Sequence, residues 1–375
     1  MQRFFAEKLF DGKTVKTKQM ISVDAGKIHS IEPAQFERGV TQLLGLVAPG
    51  FIDVQVNGGG GLLFNNQPNL NTLSTMSHAH QQFGSTAILP TLITADVATM
   101  QLAANAVADA IARNVKGIIG IHFEGPHLSQ GKKGIHPTQH IRQISAEEVA
   151  LFKRSDLGLV CVTLAPENVS VALIRELVQA KVKVCLGHSN ASSGQTFAAL
   201  QAGAQGFTHL FNAMSPLQSR EAGMVGAALL DTASYCGLIV DFEHVDITSC
   251  QLAIKCKTAE RIMLVTDAMS HVGSEQIELQ FAGMKINRQN NKLTIEGGRL
   301  AGSVLDMASA VRNCVKDLHC TIEEAIKMAS ATPAAFLGLQ KQKGYLAPGF
   351  DADWVVLTDQ LYVNATYIAG EQVIA

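Results

Sequence analysis

The sequence predicts a (β/α)8 barrel, with a small β-sandwich built from the two chain ends beside it. Between residues 49 and 343, eight short β-branched apolar runs alternate with longer stretches of helical periodicity. That is the pattern of a parallel sheet with crossover helices. Most of these runs end in polar residues or glycine, which suits a barrel carrying its functional face at the carboxyl ends of its strands better than a doubly wound sheet. The chain ends differ: residues 1–48 and 344–375 alternate apolar and polar side chains with period two, as half-buried strands do.

In chain order, the amino-terminal segment KTKQMISVDAGKIHSIEP turns at Asp24-Ala25-Gly26-Lys27, a hairpin signal. The first barrel run, FIDVQVN, carries Asp53, Gln55 and Asn57 at alternate positions, so all three share one face of a strand. Gly58 to Gly61 follow and allow a tight turn or simply a permissive loop. The stretches LNTLSTMSHAHQQFG and ASSGQTFAALQAGA have helical periodicity with glycine near the end, as helix C-caps prefer. The remaining strand runs are TAILPTL, GIIGIHFEG, GLVCVTLAPE, VKVCLGHSN, GFTHLFNAM, YCGLIVDF and RIMLVTDAM. A hairpin insertion is expected at 279–298, and the closing GYLAPGFDADWVVLTDQLYVNATYIAGEQVIA returns to strand alternation. The expected domains are therefore 49–343 for the barrel and 1–48 plus 344–375 for the small β-domain.

A chain of 375 residues buries enough core to need no structural metal, so a metal site in it belongs to chemistry. Thirty Lys and Arg balance 32 Asp and Glu with no basic block, which argues against nucleic acid or a membrane surface as partner and leaves a small phosphorylated ligand open. The seven cysteines sit mostly in apolar contexts without a CxxC pair, as reduced buried thiols do in a cytosolic protein. The N-terminus has no apolar signal core, and no segment approaches the roughly 18 apolar residues of a membrane span. A cytoplasmic protein is expected.

Ionisable residues close four of the buried runs: Glu124 the third, His188 the fifth, His209 the sixth and Asp267 the eighth. Unpaired, each would cost several kcal/mol. A carboxylate and two imidazoles at one barrel mouth form a ligand set for zinc or a similar ion with a position open to water. Asp267 would serve as base beside it. His78 and His80 lie two apart in a helix and face different ways, while His29, His271 and His319 fall in loops, the terminal sheet or at the surface. His122 and His127 flank Glu124 as packing residues or hydrogen-bonding partners. Lys132 and Lys133 read as solvated loop charges.

In this order, HFEGPHLSQGKKGIHP, GHSNA, THLFNAM, SREAGMVGA, LVTDAM and GGRLAGSVLDM, with the closing LAPGFDADWVVL, resemble the N-acetylglucosamine-6-phosphate deacetylases of the amidohydrolase superfamily. The resemblance covers nearly the whole chain and implies a metal-dependent hydrolase that releases acetate from N-acetyl-D-glucosamine 6-phosphate in amino-sugar catabolism. It implies one divalent ion per subunit on Glu124, His188 and His209, zinc first, with iron, manganese or cobalt as substitutes. Asp267 becomes the catalytic acid and base, and His136 the contact to the acetamido group beside Ile135. Asn212, Ala213 and Arg220 would hold the phosphate end, with His244, Leu300, Ala301 and Gly302 completing the pocket. A homodimer with phosphate contacts across its interface is also implied.

The sequence departs from that family in having Asp241-Phe242-Glu243-His244, where many members place glycine after the aspartate. Ring-opening relatives carry an HxH pair on strand one and a lysine on strand four; Gln55-x-Asn57 and TLAPE stand there instead. Amides bind metal poorly but can hold a water or order the pocket, so Gln55 and Asn57 point to a single ion. The galactosamine epimer as substrate and a non-catalytic scaffold are the competing expectations. Retention of Glu124, His188, His209 and Asp267 argues against the scaffold.

Overall fold

Eight parallel strands occupy the eight apolar runs of the chain, which the computed structural model describes over residues 1–374. They are β1 (Phe51–Val56), β2 (Ser85–Ile93), β3 (Gly120–Glu124), β4 (Leu159–Leu164), β5 (Lys183–Leu186), β6 (Gly206–Phe207), β7 (Tyr235–Leu238) and β8 (Ile262–Leu264). Each pairs with the next in sequence order. The segment after β8 closes the ring: Val56 bridges Ala268, and the Asp267 amide donates to the Gln55 carbonyl at 3.0 Å. β1, β2 and β3 are buried along their whole length, as expected where helices cover a parallel sheet outside and packed side chains fill it inside.

Helices follow each strand, and their starts are written in the sequence. Asn69, Asp96, Ser170 and Ser192 cap the helices Leu70–Gln81, Val97–Ala112, Val171–Gln179 and Ser193–Gln201, each accepting a backbone N–H of the first turn. Such a cap stabilises a helix by about 1 kcal/mol.

Two connections are longer. Residues 125–145, between β3 and its helix Ala146–Phe152, form the loop that bears His136. After β8, four antiparallel strands stand where a single hairpin over 279–298 was expected: Glu278–Phe281, Met284–Gln289, Lys292–Thr294 and Leu300–Ser303. The reason is local. Ala282 with Gly283, Asn290, and Gly297 with Gly298 all take left-handed φ, so the segment contains three reversals.

The chain ends form one seven-stranded sheet. Gln2–Phe10 pairs parallel with Thr41–Pro49, and the other neighbours pair antiparallel. Ala25 and Gly26 make the expected hairpin turn at left-handed φ. The sheet folds over itself, Ile28 exchanging hydrogen bonds with Phe350 and Gly349, and encloses Phe4, Trp354 and Tyr367 in ring contact. No helix among the described residues is long and apolar enough to cross a membrane.

Candidate metal and catalytic site

Glu124 ends β3, while His188, His209 and Asp267 lie just past β5, β6 and β8. The last three hold left-handed backbone, at φ +48°, +34° and +52°. Non-glycine residues are held there against a cost of about 1–3 kcal/mol each, and such strain concentrates at functional sites.

The strained turns bring three donor atoms together. His188 Nε2 and His209 Nε2 lie 3.2 and 3.0 Å from Glu124 Oε1 and 3.0 Å from each other. His188 Nδ1 sits 2.8 Å from the Lys132 carbonyl; a carbonyl only accepts, so Nδ1 carries the hydrogen and Nε2 presents a lone pair. That lone pair faces a carboxylate oxygen and a second imidazole nitrogen, an arrangement that calls for a cation among them. A carboxylate and two imidazoles fit zinc or a related divalent ion. Burial opposes ionisation of Glu124, but the two imidazoles outweigh it and hold its carboxyl well below the usual range. Burial likewise opposes charge on His209, and Glu124 reverses this and raises its pKa.

The face of β1 predicted to be polar meets the end of β8. Gln55 Nε2 lies 3.2 Å from both Glu124 Oε1 and Asp267 Oδ1, and Asn57 Nδ2 donates to Asp267 Oδ1 at 2.7 Å. Burial and the Glu124 carboxylate push Asp267 up to about 6, against His209 and the Asn57 amide. It is therefore mostly ionised at neutral pH yet a stronger base than an exposed aspartate. Behind it, Asp53 accepts from Thr266 Oγ1 at 2.5 Å and from the Gln55 amide at 3.1 Å. Burial pushes Asp53 up to about 7.

These groups open into a cavity of about 510 Å³. Of the residues expected at the substrate, Ile135, His136, Asn212, Ala213, His244, Leu300 and Gly302 line it. Ala301 does not. Its strand alternates, so Leu300 and Gly302 face the cavity while the Ala301 methyl enters an apolar cluster with Met269 and Phe281. Arg220 is exposed and outside the cavity lining. His136 is neutral, since burial first and the neighbouring His188 second hold its pKa well below the ordinary value.

Asp241 fixes the loop after β7, accepting from the Glu243 and His244 amides and contacting His244 Nδ1 at 2.6 Å. Phe242 adopts φ +62° there, the conformation glycine takes without strain. Glu243 pairs with Lys292 at 2.7 Å and ties this loop to the four-stranded sheet.

Three cationic residues of the cavity lining escaped the sequence argument: Lys132, Lys133 and Arg299. The first two read as solvated charges, and no spacing marks the third, because it reaches the mouth through the turn at Gly297 and Gly298. Lys132 and Arg299 form no salt bridge among the described residues, so the rim is cationic. Two histidines that were given no role are buried. His80 is buried and contacts the Gly58 carbonyl through Nε2 at 2.9 Å, bracing the glycine turn. His271 lies in a turn, as expected, and is buried with neither ring nitrogen bonded among the described residues. His122 is a satisfied core histidine, held by the Val54 carbonyl and Thr163 Oγ1.

The profile of the Amidohydrolase family matches residues 46–373. An N-acetylgalactosamine-6-phosphate deacetylase of Shewanella sp. (strain ANA-3) is 53% identical over 87% of this chain and 83% of its own length. An N-acetylglucosamine-6-phosphate deacetylase of Vibrio furnissii is 35% identical over 99% of this chain and 94% of its own. The crystal structure of N-acetylglucosamine-6-phosphate deacetylase from Pasteurella multocida superposes with a TM-score of 0.96 at 32% identity, covering both chains fully.

Proposed function

The chain belongs to the amidohydrolase family, and we propose that it hydrolyses the N-acetyl group of a 6-phosphorylated N-acetylhexosamine, N-acetyl-D-glucosamine 6-phosphate by the motifs, to the amino sugar phosphate and acetate. The observation that carries this reading is one amide nitrogen, Gln55 Nε2, touching both Glu124 of the ligand set and Asp267. It sets a base directly beside the metal position.

Glu124, His188 and His209 would hold a divalent ion, zinc or else iron, manganese or cobalt, which would supply a water acidic enough to act near neutral pH. Asp267, fixed by Asn57, takes the proton as water attacks the acetamide carbonyl and returns it to the departing nitrogen. His136 donates to the oxygen that becomes negative. Asn212, Ala213 and His244 receive the phosphate end. Arg220, exposed and away from its own cavity, reaches the phosphate of a neighbouring subunit in a homodimer. The protein acts in the cytoplasm, in amino-sugar catabolism.

A second reading has an observation of its own. The 53% identity to a relative named for the galactosamine substrate, against 35% to one named for glucosamine, favours the galacto epimer. Acetate release should be measured from both 6-phosphorylated epimers and from their unphosphorylated forms. A strong preference for phosphorylated sugars is expected, and the better epimer names the substrate. Release that ignores the phosphate, or none from any of the four, would sink the proposal.

A further inference from the structure

Strand β2 has so far supplied no polar group to the site, yet Thr94, the residue that follows it, is buried against two of the site's groups. Its Oγ1 lies 2.8 Å from His136 Nδ1 and 3.3 Å from the carbonyl oxygen of Glu124. A hydroxyl has one proton and two lone pairs, so only one of these contacts can receive it. The contact to nitrogen has an ordinary hydrogen-bond length, whereas 3.3 Å lies beyond the usual 2.5–3.0 Å or so for O–H···O. The surroundings make room for this hydroxyl. A Cβ placed on Gly125, which holds φ +83°, would fall 2.2 Å from Thr94 Oγ1.

We propose that Thr94 is a positioning residue that fixes the tautomer of His136: its hydroxyl donates to Nδ1, so that Nε2 carries the hydrogen and presents an N–H donor to the cavity. This rests on the amide hydrolysis proposed above, in which His136 must donate to the developing oxyanion. With the opposite tautomer, Nε2 would present a lone pair to that oxygen and repel it. Orienting an imidazole by the hydrogen bond at its far nitrogen is a general device. Here a neutral hydroxyl performs it, so the ring is oriented without gaining a charge.

The test uses the zinc-loaded full-length protein carrying 15N-histidine, with Thr94→Val, Thr94→Ser and His136→Asn variants. Long-range 15N–1H spectra, with His136 assigned by its loss in His136→Asn, should show hydrogen on Nε2 in the wild type and in Thr94→Ser. Thr94→Val should show hydrogen on Nδ1 or an average of both tautomers. Acetate release should fall about 10–100-fold in kcat for Thr94→Val with KM nearly unchanged, and Thr94→Ser should recover most of it. Thr94→Val added to His136→Asn should cause no further loss. Hydrogen on Nδ1 in the wild-type spectrum, or a Thr94→Val enzyme of normal kcat, would overturn the assignment. If the wild type releases no acetate from either sugar phosphate, the hydrolytic reading fails, and the spectra still decide the tautomer. Should Thr94→Val not fold, the wild-type and Thr94→Ser spectra decide it alone.

Discussion

Asp267 is partly buried and His80 wholly so, and the loss of water pushes each toward its neutral form with opposite consequences. Asp267 remains mostly ionised because Asn57 and His209 counter the burial, and it touches Gln55 and Asn57 without bonding His188 or His209. Asp267→Asn should therefore lower kcat by about 10²–10⁴-fold, the range for a positioned general acid or base. Metal content should stay at one ion per chain. Near-normal turnover in that variant would remove Asp267 from the chemistry. His80 has a carbonyl partner only, and burial lowers its pKa to about 4, against about 6.5 in an unfolded chain. Between those values the unfolded chain binds a proton that the folded chain refuses. The stability this group contributes is thus complete above about pH 6.5 and is lost as pH falls through about 4, by about 3 kcal/mol in all. Urea unfolding at pH 7 and pH 5 should show about 2 kcal/mol less acid sensitivity in His80→Asn than in the wild type. Equal sensitivity in the two proteins would mean that His80 is not the group refusing the proton.

Among the elements, the seam between β1 and the end of β8 is both the closure of the barrel and the floor of the site. Alternation along β1 aims three polar side chains at it: Asp53 meets Thr266, while Gln55 and Asn57 meet Asp267. Thr266→Val keeps the shape but removes the hydroxyl donor from a fully buried carboxyl, a loss of about 1–3 kcal/mol. The urea midpoint should fall accordingly. Because the backbone bond from Asp267 N to Gln55 O remains, the drop in activity should be smaller than for Asp267→Asn. A midpoint unchanged within error would show that the Asp53 contact adds nothing to closure. This seam was legible in the sequence because strand alternation is a local rule. The cavity wall at 300–302 was legible only in part, since a motif names consecutive residues whereas a strand sends Ala301 away from Leu300 and Gly302. Arg299 escaped because its place depends on how a four-stranded insertion with three turns folds over the mouth.

At the scale of the whole molecule, the barrel and the cluster of Glu124, His188 and His209 could be read from one chain because each of the three closes its own buried run. The residues expected at a phosphate could not, because they do not all meet in one cavity. Arg220 lies exposed on the loop after β6, outside the cavity whose phosphate it was expected to hold, while His244, Asn212 and Ala213 do line that cavity. Local sequence does not say whose cavity an exposed arginine serves. A two-fold homodimer would present this loop of each subunit to the other through a self-complementary contact. If Arg220 acts across such an interface, Arg220→Ala and Asp267→Asn homodimers are each nearly inactive for different reasons. A mixed dimer then contains one whole site: the Arg220→Ala subunit keeps its own Asp267 and receives Arg220 from the Asp267→Asn subunit. Equal mixing with subunit exchange should restore about one site in four, the random share of intact sites in two-fold dimers. The restored sites should have the wild-type KM for the sugar phosphate. Activity no higher than the mean of the two parents after demonstrated exchange would mean that Arg220 serves its own subunit or none. Recovery without a two-fold species in light scattering would point to a larger assembly supplying the same arginine.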